Sequence, residues 1–124
     1  MGFMHRRLEV FDLAVDLSIL VAGAARNLPP QWWWLEKQVM RAAGSIALNI
    51  AEGSAETGTA QERRYYRIAR GSAAECDAAL CMLWRAGLLD AKVAADAESA
   101  LKRISAMLRS LIRRSEERSA PSGA

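Results

Sequence analysis

The chain has 124 residues, which is enough for one domain with a hydrophobic core and too few for two. Apolar residues make up 52% of the sequence. No stretch of alternating polar and apolar residues is long enough to argue for a sheet, so the sequence predicts an all-α fold. The net charge of +3 permits an anionic partner but does not require one.

The first predicted helix, residues 8–27, is apolar around most of its circumference. Its few polar or small positions fall within an arc of about 60°: Glu9, Asp12, Asp16 and Gly23. A helix that packs against a single layer needs an apolar stripe only a little over about 100° wide. We therefore expect this helix to be covered on two sides, by its own bundle and by another subunit.

Targeting signals are not evident in the sequence. The apolar run over residues 13–25 is shorter than the roughly 20 residues that a membrane span requires, and the N-terminus lacks the apolar region of a signal peptide. Cys76 and Cys81 point to different faces of one predicted helix, so we expect no intrachain disulfide. These features predict a cytoplasmic protein with no membrane partner.

Three consecutive tryptophans precede the second predicted helix, residues 33–52. Pro29 and Pro30 end the first helix, and Trp32, Trp33 and Trp34 then spread over about 200° of helix surface. They cannot all face one core, so we expect them to cap the bundle end and to fill a subunit interface. Base stacking and a membrane-interface belt are the alternatives, and the latter has no basic amphipathic partner in the sequence.

A line of polar side chains follows one face of the second helix within an arc of about 80°. This polar seam comprises Gln38, Arg41, Ser45, Asn49 and Glu52. The side chains are complementary at spacings of three and four residues, and Glu52 can pair with an arginine of a neighbouring helix or subunit. The seam predicts a structural network that fixes register or assembly, with a ligand or nucleic-acid contact as the alternative.

The third predicted helix, residues 60–86, has an apolar face and a basic face. The apolar face comprises Tyr65, Ile68, Ala69, Ser72, Cys76, Ala79, Leu80 and Leu83. On the opposite side Arg63, Arg67 and Arg70 fall within an arc of about 60°, flanked by Arg64. These four residues, the arginine row, are either an ordinary solvated face or a phosphate-binding surface, since guanidinium groups pair bidentately with phosphate. One row would bind weakly, and symmetric copies would bind tighter through avidity.

The fourth predicted helix, residues 91–114, begins after the N-cap Asp90. Its apolar face comprises Val93, Ala97, Leu101, Ile104, Leu108 and Leu111. Residues 115–124 are expected to form a disordered tail. Four helices with short links predict an antiparallel up-down-up-down four-helix bundle over residues 1–114.

Catalytic and metal-binding motifs are not found. A di-iron bundle needs paired Glu-x-x-His elements, and the only histidine is His5, ahead of the first helix. Ser45 has no histidine among its helix neighbours to activate it, and residues 53–58 lack the lysine of a phosphate-binding loop. We therefore expect no metal, no cofactor and no enzymatic activity.

The stretch Arg-Ala-Ala-Gly-Ser-Ile-Ala-Leu-Asn-Ile-Ala-Glu-Gly at residues 41–53 resembles a family signature. The signature Arg-Ala-x-x-Ser-Ile-x-x-Asn-Ile-Ala-Glu-Gly is found in bacterial four-helix bundle proteins that include those encoded in 23S ribosomal RNA intervening sequences. The same family contains the accessory variability determinant proteins of diversity-generating retroelements. Residues 8–11 and 68–72 are similar to its first and third helix motifs, so the resemblance covers about residues 8–89.

The resemblance implies a homopentamer of four-helix bundles, with nucleic-acid binding in some relatives. In the retroelement branch it also implies a reverse transcriptase partner and its template RNA. Our leading hypothesis is a non-enzymatic oligomeric bundle that binds RNA or DNA through the arginine row as an accessory factor, with Arg6, Arg7 and Arg109 as weaker candidates. The alternative is a protein-interaction scaffold with no nucleic-acid affinity.

Overall fold

The computed structural model describes residues 8–120, so His5, Arg6 and Arg7 lie outside the described residues. Four α-helices account for most of the chain: α1 (Glu9–Ala25), α2 (Trp33–Ser54), α3 (Ala60–Arg85) and α4 (Ala91–Ser119). A short 3-10 helix, Pro30–Trp32, precedes α2. No strand occurs within residues 8–120, and the predicted all-α class with four helices is confirmed.

The helices form a closed square in which each packs against two neighbours: α2 contacts α1 and α3, and α4 contacts α3 and α1. Antiparallel order is visible between α2 and α3, where the Arg41–Glu75 and Ser45–Ser72 pairs run in opposite directions along the two helices. The chain is therefore an antiparallel up-down-up-down bundle. Its short links prevent consecutive helices from running parallel.

Helix ends follow from local side-chain chemistry. The Thr59 hydroxyl accepts a hydrogen bond of 3.1 Å from the Glu62 amide at the start of α3, and the Asp90 carboxylate accepts one from the Lys92 amide at the start of α4. Gly58 and Gly87 adopt φ values of 77° and 74°. These left-handed conformations favour glycine, so both residues allow the chain to turn between helices.

The buried face of α3 differs from the predicted one. Tyr66 is 1% exposed and lies in the core, whereas Tyr65 is only half-buried and Ile68 is 39% exposed. The observed face is rotated by roughly 40° from the prediction at 100° per residue. Because α3 packs against α4 as well as α2, its core-facing stripe turns toward α4.

The C-terminal part of α4 also corrects the prediction. Ile112, rather than Leu111, continues the buried face, and Ser115 is fully buried. The helix extends to Ser119, so the expectation of a disordered tail is wrong for residues 115–119, and residues 121–124 lie outside the described part. Arg63 of α3 donates hydrogen bonds to Ser115 and Ser119 in this part of α4.

Apolar side chains remain on the outer surface of α1 and α2. Ile19 is 66% exposed and Leu48 is 69% exposed, and Met40 and Trp33 are also exposed. Along α2, Trp33, Met40 and Leu48 fall within about 80° of one another. Within the described residues, no helix is long and apolar enough to cross a membrane.

Candidate nucleic-acid interface

The polar seam lies along the solvent edge between α2 and α3. Arg41 Nη2 donates to Gln38 Oε1 at 2.6 Å and to Glu75 Oε2 at 2.7 Å, so it links the two helices. Ser45 Oγ lies 2.8 Å from Ser72 Oγ. Because these groups are exposed or half-buried, each such pair contributes only modestly to stability.

Two further members complete the seam. Asn49 Nδ2 donates to the Ser45 carbonyl oxygen at 2.8 Å and to Ser45 Oγ at 3.0 Å. Glu52 is exposed, and its side chain forms no hydrogen bond or ion pair with the rest of residues 8–120. The seam therefore joins α2 to α3 through Arg41 and Ser45, which Gln38 and Asn49 contact within α2, and it leaves Glu52 facing solvent.

The four arginines of the arginine row occupy different environments. Arg63 is half-buried, and its Nη1 donates to Ser119 Oγ at 2.8 Å and to both Ser115 Oγ and the Ser115 carbonyl oxygen at 3.2 Å. These bonds tie the start of α3 to the end of α4. Arg64 is exposed and lies on the side of α3 away from α4.

Arg67 and Arg70 line an open groove between α3 and α4, with a volume of about 680 Å³. From α4, Lys102 and Arg109 line the same groove. Its other lining residues are small, apolar, hydroxyl or acidic: Gly71, Ala73, Ala74, Leu101, Ser105, Asp77 and Glu98. We call this the α3–α4 groove. Its lining has four cationic and two anionic side chains, so it is net positive.

Only two of the four cationic side chains in the groove form ion pairs within residues 8–120. Arg67 Nη2 lies 3.6 Å from Glu116 Oε1, and Lys102 Nζ lies 3.0 Å from Glu98 Oε1. All four of these side chains are more than half exposed, so solvent screens both pairs. Arg70 and Arg109 form no ion pair with any other described residue.

One cation of the groove, Lys102, was not among the binding residues predicted from the sequence. Lys102 lies on the same face of α4 as Arg109 and Arg113, within an arc of about 40° at 100° per residue. That spacing was available in the sequence as a signal. The sequence could not show that this face of α4 packs beside Arg67 and Arg70 of α3, because that depends on how both helices are rotated about their axes.

The tryptophans at the start of α2 lie outside the groove. Trp32 and Trp34 stack with ring centroids 6.0 Å apart, and Lys37 Nζ lies 5.4 Å from the centre of the Trp33 ring. Each ring thus has a partner from its own helical turn. A subunit interface at these residues stays a prediction.

Within residues 8–120, the side chains able to bind a metal or act as nucleophiles are isolated from one another or already hydrogen-bonded. No group of histidine, cysteine, aspartate and glutamate residues that could hold a metal occurs in the part of the chain the structure describes. Burial and the nearby carboxylates of Asp77 and Glu75 raise the pKa of the Cys76 thiol to about 12, so it stays protonated at neutral pH. Ser45 is hydrogen-bonded to Asn49 and is next to Ser72, neither of which can act as a strong base.

Fold and site together define an antiparallel four-helix bundle with a net positive groove between α3 and α4. The model of the 23S rRNA-intervening sequence protein family matches residues 6–110, and the chain belongs to that family. A search among curated proteins gave no significant match. Membership of the family expected from residues 41–53 is confirmed, whereas a place in its retroelement branch stays a prediction.

Proposed function

We propose that this protein is a non-enzymatic accessory factor that binds the phosphate backbone of RNA or DNA in the α3–α4 groove. The observation that carries the proposal is the convergence of Arg67, Arg70, Lys102 and Arg109 from two helices on one open groove. The family is named after intervening sequences of 23S rRNA, so RNA is the first ligand to test.

Geometry favours phosphate binding over an ordinary solvated face. Solvated faces of helices usually mix charges in local pairs at i,i+4 spacing, as Lys92 and Asp96 do here. In the groove, by contrast, Arg70 and Arg109 come from different helices and have no acidic partner in the described chain. Lys102 does form an i,i+4 pair with Glu98, and Arg67 pairs with Glu116 of α4. Both acidic partners are exposed, so a phosphate group can displace them.

Fluorescence anisotropy titrations of structured RNA and of single-stranded DNA at two salt concentrations test the proposal. We expect binding that weakens as salt increases, because each neutralised phosphate releases counterions. The double variant Arg70→Ala/Arg109→Ala should bind more weakly, and the slope of log affinity against log salt should fall by about 2. The loss should be similar across sequences because phosphate contacts carry little sequence information.

Arg26→Ala/Lys92→Ala is the matched control. It also removes two positive charges, from exposed positions outside the groove, and should leave affinity nearly unchanged. No binding at low salt, binding without salt dependence, or an equal loss in both double variants would contradict the proposal.

We also propose that the chain assembles into a homo-oligomer, which the family resemblance implies is a pentamer. Support comes from the exposed apolar side chains of Ile19 on α1 and of Met40 and Leu48 on one face of α2, since contiguous apolar surface often marks a protein–protein contact. Light scattering at micromolar concentration should give the mass of an oligomer. Leu48→Lys should reduce that mass while circular dichroism stays unchanged, and Ala78→Lys on the exposed surface of α3 is the control. A monomer in the unsubstituted protein would refute the assembly.

A further inference from the structure

The α3–α4 groove continues beyond its cations into an apolar half. Asp77 and Glu98 line both halves and mark the boundary between them. The apolar half is lined by further residues of both helices and their link: Leu80, Cys81, Trp84, Leu89, Ala91, Ala94 and Ala95. Along its length the groove thus presents cations, then two carboxylates, then an apolar surface with a tryptophan.

These three sections are in line along α3. Arg70, Asp77 and Trp84 are separated by seven residues each, so they lie on nearly the same face, about 10 Å apart at 1.5 Å per residue. The distance from the cationic section to the tryptophan is therefore about 20 Å. A ligand that uses the whole groove must be extended, with an anionic part and a planar apolar part.

We infer that the groove binds a single nucleic-acid strand, with phosphates on the cationic section and a base stacked on Trp84. The inference rests on the proposed function and adds the form of the ligand. Bases in a duplex are stacked on one another and cannot stack on a protein ring, so the tryptophan selects an unpaired strand.

Trp84 is better placed to accept a base than the other tryptophans. Its side chain is 49% exposed, lines the groove and stacks with no other described ring. Trp32 and Trp34 already stack on each other, and Trp33 is beside Lys37. The base-stacking role considered for those three residues is thus assigned to Trp84.

The two carboxylates determine which bases fit. Asp77 and Glu98 repel phosphate, so the backbone must leave the groove there and present a base edge instead. Carboxylates accept hydrogen bonds from exocyclic amino groups such as cytosine N4, whereas uracil presents carbonyl oxygens in the equivalent place. Glu98 is paired with Lys102, while Asp77 forms no ion pair in the described chain and is the freer acceptor. The groove therefore prefers cytosine or adenine to uracil.

Anisotropy titrations with labelled RNA strands of about ten nucleotides test the inference, a length within the range bound by single-strand modules. Oligocytidine and oligoadenosine should bind more tightly than oligouridine, and all should bind more tightly than an RNA duplex. Trp84→Ala should weaken binding of every strand on the order of tenfold without changing the salt slope. Trp84→Phe should retain most of the affinity. Met82→Ala, at an exposed apolar position of α3 outside the groove, should leave it unchanged.

The Asp77→Ala/Glu98→Ala variant tests base selection separately at two exposed positions. If the carboxylates read amino groups, oligouridine should bind this variant as tightly as oligocytidine does. An equal gain for all strands, which electrostatic repulsion alone would produce, would overturn the assignment. Circular dichroism melting curves should show that each variant remains folded.

The two proposals fail in distinguishable ways. If no strand binds at low salt, the proposed function fails and this inference fails with it. If binding is salt-dependent but Trp84→Ala has no effect, or if the duplex binds more tightly, phosphate binding stands and the single-strand inference is wrong.

Discussion

Gly53→Ala should lower the free energy of unfolding by about 3 kcal/mol, because the added methyl group has no space. A Cβ atom at residue 53 would lie 2.6 Å from Tyr66 Cε1, 2.8 Å from Tyr66 Cδ1 and 3.2 Å from the Glu62 carbonyl oxygen. The Tyr66 ring is fully buried and cannot move without displacing the core, and the carbonyl belongs to α3. To remove these steric clashes, α2 and α3 would have to move apart at this end of the bundle.

Urea denaturation monitored by circular dichroism measures this effect. Gly71→Ala is the matched control, because Gly71 also lies inside a helix, is exposed, and would place a Cβ with no atom within 4 Å. The control should gain about 0.5–1 kcal/mol from helix propensity. Equal behaviour of the two variants would show that the Tyr66 contact does not limit the packing of α2 on α3.

Glu62→Ala should cost about 3 kcal/mol, because Glu62 is a nearly buried carboxylate with several partners. Its Oε1 accepts a 2.9 Å hydrogen bond from the Gly58 amide, and its Oε2 lies 3.9 Å from Arg118 Nη1. Burial is the main cause that raises the pKa of the Tyr66 hydroxyl, and the negative charge of Glu62 and a hydrogen bond to its carboxylate raise this pKa further. The hydroxyl therefore stays protonated. Removing the carboxylate would leave the part-buried Gly58 amide without its acceptor and would remove the charge that Arg118 faces.

Thermal and urea unfolding of Glu62→Ala should be compared with Glu62→Gln and Glu56→Ala. The glutamine variant keeps one acceptor oxygen and should lose less stability. Glu56 is exposed in the same link, and its carboxylate forms no hydrogen bond or ion pair within residues 8–120. Its substitution should change stability by no more than about 0.5 kcal/mol. If the Glu62→Ala protein is as stable as the Glu56→Ala protein, the contacts of the Glu62 carboxylate do not contribute strongly to the stability of the bundle.

The sequence was sufficient to predict the number and approximate limits of the helices. Proline at 29 and 30, the cap Asp90, and apolar residues at spacings of three and four all act locally, so they can be recognised without a structure. The sequence was less informative about which face of each helix is buried. Tyr65 and Tyr66 are adjacent and chemically identical, and only the simultaneous packing of α3 on α2 and α4 decides which ring is buried.

The same limit applies to the candidate site. The arginine row was visible as a cluster, but the difference between Arg63 and Arg70 depends on where α4 lies. Arg63 reaches Ser115, 52 positions away in the chain, and Arg70 reaches a groove to which α4 contributes Lys102. Long-range contacts of this kind have no signature in local spacing, whereas the motif at residues 41–53 identified the family without them.

The bonds from Arg63 to the end of α4 determine how far the chain can be shortened. Residues 115–119 resemble a dispensable hydrophilic tail, yet they supply every hydrogen-bond acceptor the structure gives to the Arg63 guanidinium. A fragment that ends at Arg114 would remove all of these acceptors from the Arg63 guanidinium. Expression fragments and fusion junctions should therefore be placed after Ser119, since the boundary of the folded unit is set by a residue of α3.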